Sequence, residues 1–104
     1  MKYRNPILSG FHPDPSICRA GEDCYLVTST FEFYPGVPVY HSRNLVDWEL
    51  LGYCMTEENE FNLEKCAPSG GIYAPTIRYH EGMFFMITTN VSDKGHFIVH
   101  TENP

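Results

Sequence analysis

Residues 14–30, DPSICRAGEDCYLVTST, reappear sixty positions later as APTIRYHEGMFFMITTN, residues 74–90. Pro15 falls on Pro75, Ser16 on Thr76, Ile17 on Ile77, Tyr25 on Phe85, Val27 on Ile87 and Thr28 on Thr88. With one residue deleted, GVPVYHSRN (36–44) continues over GHFIVHTEN (95–103). Gly36, His41, Ser42 and Asn44 then meet Gly95, His100, Thr101 and Asn103. A repeat of this length marks a chain built from similar supersecondary units, each burying its faces against its neighbours.

The repeated unit reads as β structure. CYLVTSTF, MFFMITTNV, PVYHS, DWELLG and HFIVHT are short runs rich in β-branched and aromatic residues. RAGED, YPG, SRNLVD, HEG and SDKG supply turn signals between them. No window of twelve or more residues carries a helical period. The polar stretch 54–71, CMTEENEFNLEKCAPSGG, reads as a long loop, with room for one helical turn in EENEFNLEK.

The expected fold class is therefore all-β. Four short strands in a sixty-residue unit suit one blade of a β-propeller. Blade 1 is expected over about 7–53 and most of blade 2 over about 70–104. The second copy stops after its third strand, where the first runs on to DWELLG. Fewer than two blades cannot close a ring. The sequence thus predicts the front part of a longer propeller, with no complete domain and with strand edges and apolar blade faces left uncovered.

The stretch FHPDPSI, residues 11–17, holds Asp14 between two prolines and behind His12. Pro15 disfavours the α region for Asp14, and Pro13 does the same for His12, so a stiff extended lead-in to a strand is expected. Taken alone, the segment suits either a turn capped by its own Asp or a carboxylate held for chemistry. The repeat separates the two readings. Pro15 and Pro75 are shared scaffold, whereas Asp14 is matched by Ala74. Blade geometry tolerates a methyl group there, so the carboxylate serves something else. The first strand of a propeller blade lines the central channel, which directs Asp14 toward an axial site.

Composition narrows the partners. The chain has 104 residues, 42% hydrophobic content and a net charge of −6 with its charges scattered. No basic patch could neutralise phosphates, which argues against nucleic acid. No apolar run approaches the roughly 18 residues of a membrane span, and MKYRNPILSGFHPDPS is too weakly apolar for a secretory signal. The cytoplasm is the expected location. Cys18, Cys24, Cys54 and Cys66 have no CxxC or zinc-ribbon spacing, so reduced thiols filling apolar space are expected. Cys18 and Cys24, six apart around a turn, could also face each other across a hairpin. His96 and His100 share a strand face, where packing is preferred over metal ligation. His41 and His100, matched in the repeat, read as scaffold, and His12 as part of the channel wall. Trp48 reads as a core residue of the outermost strand, and NVS at 90–92 as a plain loop despite matching a glycosylation sequon.

HPDPSI, STFEFYPGVP, SRNLVDWELLG and GIYAPTIRYHEG form a specific combination. Together they resemble the N-terminal part of bacterial β-xylosidases of glycoside hydrolase family 43. The resemblance implies a five-bladed propeller and an inverting glycosidase that removes xylose from the non-reducing ends of short β-1,4-xylooligosaccharides. It places Asp14 as the general base, and Phe31, Tyr73 and Ala74 as lining of the sugar pocket. The general acid and its tuning aspartate are implied on later blades, past Pro104. Tyr73 and Phe33 stand where tryptophans are common in the family, which leaves sugar preference open. No cofactor is expected; calcium occurs on the axis in some members, but no stretch here is a calcium loop. An α-L-arabinofuranosidase or arabinanase on the same scaffold, or a propeller fragment that binds carbohydrate without cleaving it, remain alternatives. The expected partners are a small oligosaccharide and the later blades of a parent chain, with homo-oligomerisation left open.

Overall fold

A computed structural model describes residues 2–31, 33, 35–55, 70–91 and 95–104. The loop expected over 54–71 lies largely outside the described residues, as does the SDKG turn apart from its glycine. Seven strands are described: β1 (Ser16–Ala20), β2 (Asp23–Val27), β3 (Gly36–Ser42), β4 (Glu49–Met55), β5 (Thr76–His80), β6 (Met83–Asn90) and β7 (Gly95–Thr101). They form two antiparallel sheets in the orders β1-β2-β3-β4 and β5-β6-β7. No helix occurs among the described residues.

Local chemistry explains the connections. β1 and β2 are joined by Gly21–Glu22, and β5 and β6 by Glu81–Gly82. In the second turn both residues have positive φ, 47° and 80°, the backbone of a two-residue turn whose twist matches its strands. After β3, the Ser42 hydroxyl accepts from the Asn44 amide at 3.2 Å. After β7, Thr101 Oγ1 accepts from the Asn103 amide at 3.1 Å. The repeated Ser/Thr and Asn pair therefore ends two equivalent strands in one way. The repeated histidines are alike too: His41 packs on Tyr25 across β2 and β3, with centroids 5.3 Å apart. His100 packs on Phe85 across β6 and β7, at 6.2 Å.

The two sheets meet through their inner strands. The Ile77 amide of β5 donates to Ser16 Oγ of β1 at 3.1 Å, and Tyr25 meets Phe84 edge-on at 4.9 Å. Val27, Val37, Val39, Met55, Ile72, Ile77, Phe84 and Met86 form the buried core between them. Each such side chain contributes roughly 1.5–3 kcal/mol on burial. Toward the outside the sheets splay, leaving a cleft of about 420 Å³ between β4 and β7 lined by Tyr53, Cys54, Phe84 and Val99. Sheets radiating from adjacent inner strands are the arrangement of a β-propeller, of which this chain is a part.

Three expectations change in detail. The run CYLVTSTF is strand only through Val27, and Thr28–Thr30 continue as buried non-strand chain. Trp48 lies just before β4, half-buried, with its Nε1 donating to Leu45 O at 3.2 Å rather than packed within the strand. Cys18 pairs across the hairpin with Tyr25, and Cys24 with Arg19. Neighbouring positions on a strand point to opposite faces, so the two thiols do not face each other. Cys18 packs against the inter-sheet core, and burial raises its pKa.

Candidate active site

The lead-ins to β1 and β5 carry the expected site residues. Asp14 and Ala74 each stand two positions before their strand, and the strands lie side by side. Asp14 is not extended as its prolines suggest. Its φ is +53°, in the left-handed region that Asp enters more readily than most side chains. Ala74, its repeat partner, is not in that region. The Asp14 residue is exposed, yet Oδ2 accepts from Ser29 Oγ at 2.9 Å, and Ser29 is fully buried at 1% exposure. The Ser29 amide also donates to Pro13 O at 3.0 Å, binding the lead-in to the chain after β2.

Phe31 connects the two halves. Its amide donates to Ile72 O at 2.7 Å and its carbonyl accepts from Ile72 N at 2.8 Å. Ile72 in turn bridges to Asn90. Phe31 has a φ of +51°, which a bulky aromatic residue rarely adopts. Its ring meets Tyr73 edge-on at 5.5 Å. Phe11 packs on Phe31 at 5.8 Å and on Phe33 at 5.9 Å. Phe11, Phe33 and Tyr73 are 58%, 57% and 41% exposed. Four aromatic rings in series at one end of the sheets form an apolar surface of the kind a sugar face covers. Tyr73 is tied to the second sheet by its amide, which donates to Thr89 O at 2.9 Å, and by its carbonyl, which accepts from Thr88 Oγ1 at 2.8 Å.

Phe31 and Tyr73 are thus in contact, and Asp14 and Ala74 head adjacent strands. Two further residues, Ser29 and Phe11, join the site. Ser29 lies in the CYLVTSTF run, fifteen residues from Asp14, and carries no local signal of its contact with the carboxylate. Phe11, directly before HPDP, becomes visible only when its ring is placed between Phe31 and Phe33. His12 is turned to structure. Its Nε2 donates to Ser9 O at 2.9 Å, which leaves Nδ1 to accept from the Tyr40 hydroxyl at 3.4 Å. His96 contacts Thr89 Oγ1 through Nδ1 at 2.6 Å. Four residues of strand separate it from His100 by about 13 Å, too far for one ion.

A second polar cluster lies at the far end of β2 and β3. His41 Nε2 is 2.7 Å from Asp23 Oδ1, Arg43 Nε donates to the same oxygen at 3.0 Å, and His41 Nδ1 is 3.3 Å from Glu49 Oε1. The hydrogen bond from His41, then that from Arg43, holds the Asp23 carboxyl below its ordinary range.

The fold and the aromatic strand lead-ins define part of a β-propeller protein. The chain belongs to family 43 of the glycosyl hydrolases: the family description "Glycosyl hydrolases family 43" matches residues 3–104. It is 54% identical to a non-reducing end alpha-L-arabinofuranosidase of Bacteroides ovatus, over 98% of this chain and 20% of that one. It is 47% identical to a beta-xylosidase of Bacillus subtilis, over 88% of this chain and 17% of that one. Among solved structures, the Bacteroides ovatus xyloglucan-locus family 43 protein superposes with a TM-score of 0.93 at 53% identity, covering 98% of this chain and 21% of that one. The xylan beta-1,4-xylosidase of Bacillus halodurans gives 0.91 at 41% identity, covering 98% and 21%. The chain spans about a fifth of the length of these relatives.

Proposed function

We propose that residues 1–104 are the leading part of a propeller glycosidase that removes xylose from the non-reducing ends of β-1,4-xylooligosaccharides with inversion. Asp14 is the general base. It takes a proton from a water that attacks the anomeric carbon, while a general acid past Pro104 protonates the leaving oxygen. Inversion needs the two carboxyl groups roughly 6.5–9.5 Å apart. Phe31 and Tyr73 cover the apolar face of the sugar, and the small Ala74 leaves room for it.

The observation that carries this reading is a carboxylate, Asp14, held by Ser29 at 2.9 Å at the head of β1, beside the β5 lead-in where its repeat partner is Ala74. Asp14 holds a left-handed backbone, while its repeat partner Ala74 does not, and Phe31, Val37, Leu45 and Glu81 share that conformation. Such conformations cost on the order of 1–3 kcal/mol, persist only where surroundings impose them, and gather at functional sites. At Asp14 the repeat shows that the equivalent lead-in to β5 forms without one. Aromatic rings beside the carboxylate lead-in add the second element of a sugar site.

The bare flank of the second sheet supports the placement in a longer chain. Val27 and Val39 of the first sheet are buried against the second, at 0% and 5% exposure. Their repeat partners Ile87 and Ile98 are 44% and 59% exposed. The same face that one sheet covers on the first copy is bare on the second.

Asp14→Asn in the longer protein is expected to lower kcat by about 10²–10⁴-fold on p-nitrophenyl xyloside. Full activity of that variant would falsify the assignment. An α-L-arabinofuranosidase on the same scaffold is the second reading, favoured by the name of the relative at 54% identity. Parallel assays on aryl xyloside and aryl arabinofuranoside separate the two. A segment that binds without cleaving would instead take up xylobiose in calorimetry with no turnover.

A further inference from the structure

We propose that Ser29 is the positioning residue for the Asp14 carboxylate; this rests on Asp14 being the base. The two copies of the repeat differ at this point in a way that scaffold needs do not explain. In the second copy, Thr88 Oγ1 holds the carbonyl of the lead-in residue Tyr73 at 2.8 Å, and Thr89 turns its hydroxyl to His96 at 2.6 Å. In the first copy, the equivalent carbonyl, Pro13 O, is taken by the Ser29 amide at 3.0 Å. Thr28, the partner of Thr88, is buried with its hydroxyl unpaired. The Ser29 hydroxyl is thereby freed from scaffold duty.

That hydroxyl has one hydrogen to give. Asp14 Oδ2 lies at 2.9 Å and Pro13 O at 3.4 Å, so the carboxylate is its principal acceptor. A hydrogen bond to an ionised acceptor is roughly twice as strong as a neutral one. Ser29 is itself buried and fixed by its amide, so it acts as a rigid anchor for an otherwise exposed side chain. No hydrogen bond among the described residues reaches Asp14 Oδ1. Pinning Oδ2 fixes the orientation of the carboxylate, and Oδ1 is the oxygen assigned to receive the proton of the attacking water. No bond to substrate is required of Ser29. Its contribution is to keep Oδ1 within the roughly 2.6–3.2 Å reach that proton transfer needs.

The test uses the longer protein and four variants, assayed on aryl xyloside and aryl arabinofuranoside. Ser29→Ala should lower kcat by roughly 10–100-fold, the scale of a small misplacement of a catalytic group, with KM little changed. Ser29→Thr should restore most of the rate, since Thr89 occupies the equivalent place in the second copy. Ser29→Cys, close in shape but a weak donor, should fall between them. Thr28→Val, next along the chain and with no hydrogen bond to Asp14 among the described residues, should keep the parental kcat. Should Ser29→Ala destabilise the fold, the Cys and Thr variants still decide. Parental kcat in Ser29→Cys, or a loss in Ser29→Thr as deep as in Ser29→Ala, overturns the proposal. A rise in KM at constant kcat does so as well. Failure of the base reading is seen separately, as an active Asp14→Asn enzyme.

Discussion

At the residue scale, the two copies of the repeat act as an internal control. A substitution tolerated in one copy marks what the scaffold does not require in the other. Asp14 against Ala74 isolates the carboxylate, and the left-handed φ present at Asp14 but absent at Ala74 separates the two lead-ins. Tyr73→Ala should weaken substrate binding by about 1 kcal/mol, roughly fivefold in KM, because an exposed ring supplies stacking and no chemistry. Steady-state kinetics on xylobiose would read it. Thr28→Val should raise stability by about 1 kcal/mol, since a buried hydroxyl without a partner is replaced by a methyl group of the same shape. Chemical denaturation measures that gain.

At the element scale, the junction of β1 with β5 ties the site together. Ile77 is 2% exposed in that junction. Ile77→Ala should cost about 2–5 kcal/mol and loosen Phe31 and Tyr73 along with it. At the opposite end of β2, Asp23 sets an acid limit. Its folded pKa lies below the ordinary value of 3.8. The stabilisation is therefore complete above that ordinary value and is lost as pH falls through the folded one. Comparing Asp23→Asn with the parent by urea unfolding, the difference should be constant near neutrality and close only below about pH 4. A gap that instead opened on acidification would contradict the sign.

At the scale of the whole molecule, bare faces dominate. Phe85, Ile87 and Ile98 are exposed on the outer face of the second sheet, and Ile17 and Leu50 on that of the first. Apolar surface on both flanks, with β7 presenting an open edge, is an arrangement that proteins normally cover. On the proposed roles, which give this stretch only the base Asp14, purified residues 1–104 should release no xylose from p-nitrophenyl xyloside. They should also bind a hydrophobic dye strongly.

Much of this was legible in the chain. The repeat marks the strands, the turns and the scaffold roles of His41 and His100, because those features arise from alternation and from local pairing. It also singles out Asp14, by a difference at one aligned position. What stayed hidden depends on contacts between distant segments. The prolines around Asp14 suggested extended backbone, yet the Ser29 hydroxyl, fifteen residues away, accompanies a left-handed one. Phe11 joins Phe31 and Phe33 only after the lead-in folds across the end of the first sheet. Local pattern specifies which strands form, since it needs only neighbouring residues. The direction in which a side chain finally points is decided by what the rest of the chain brings against it.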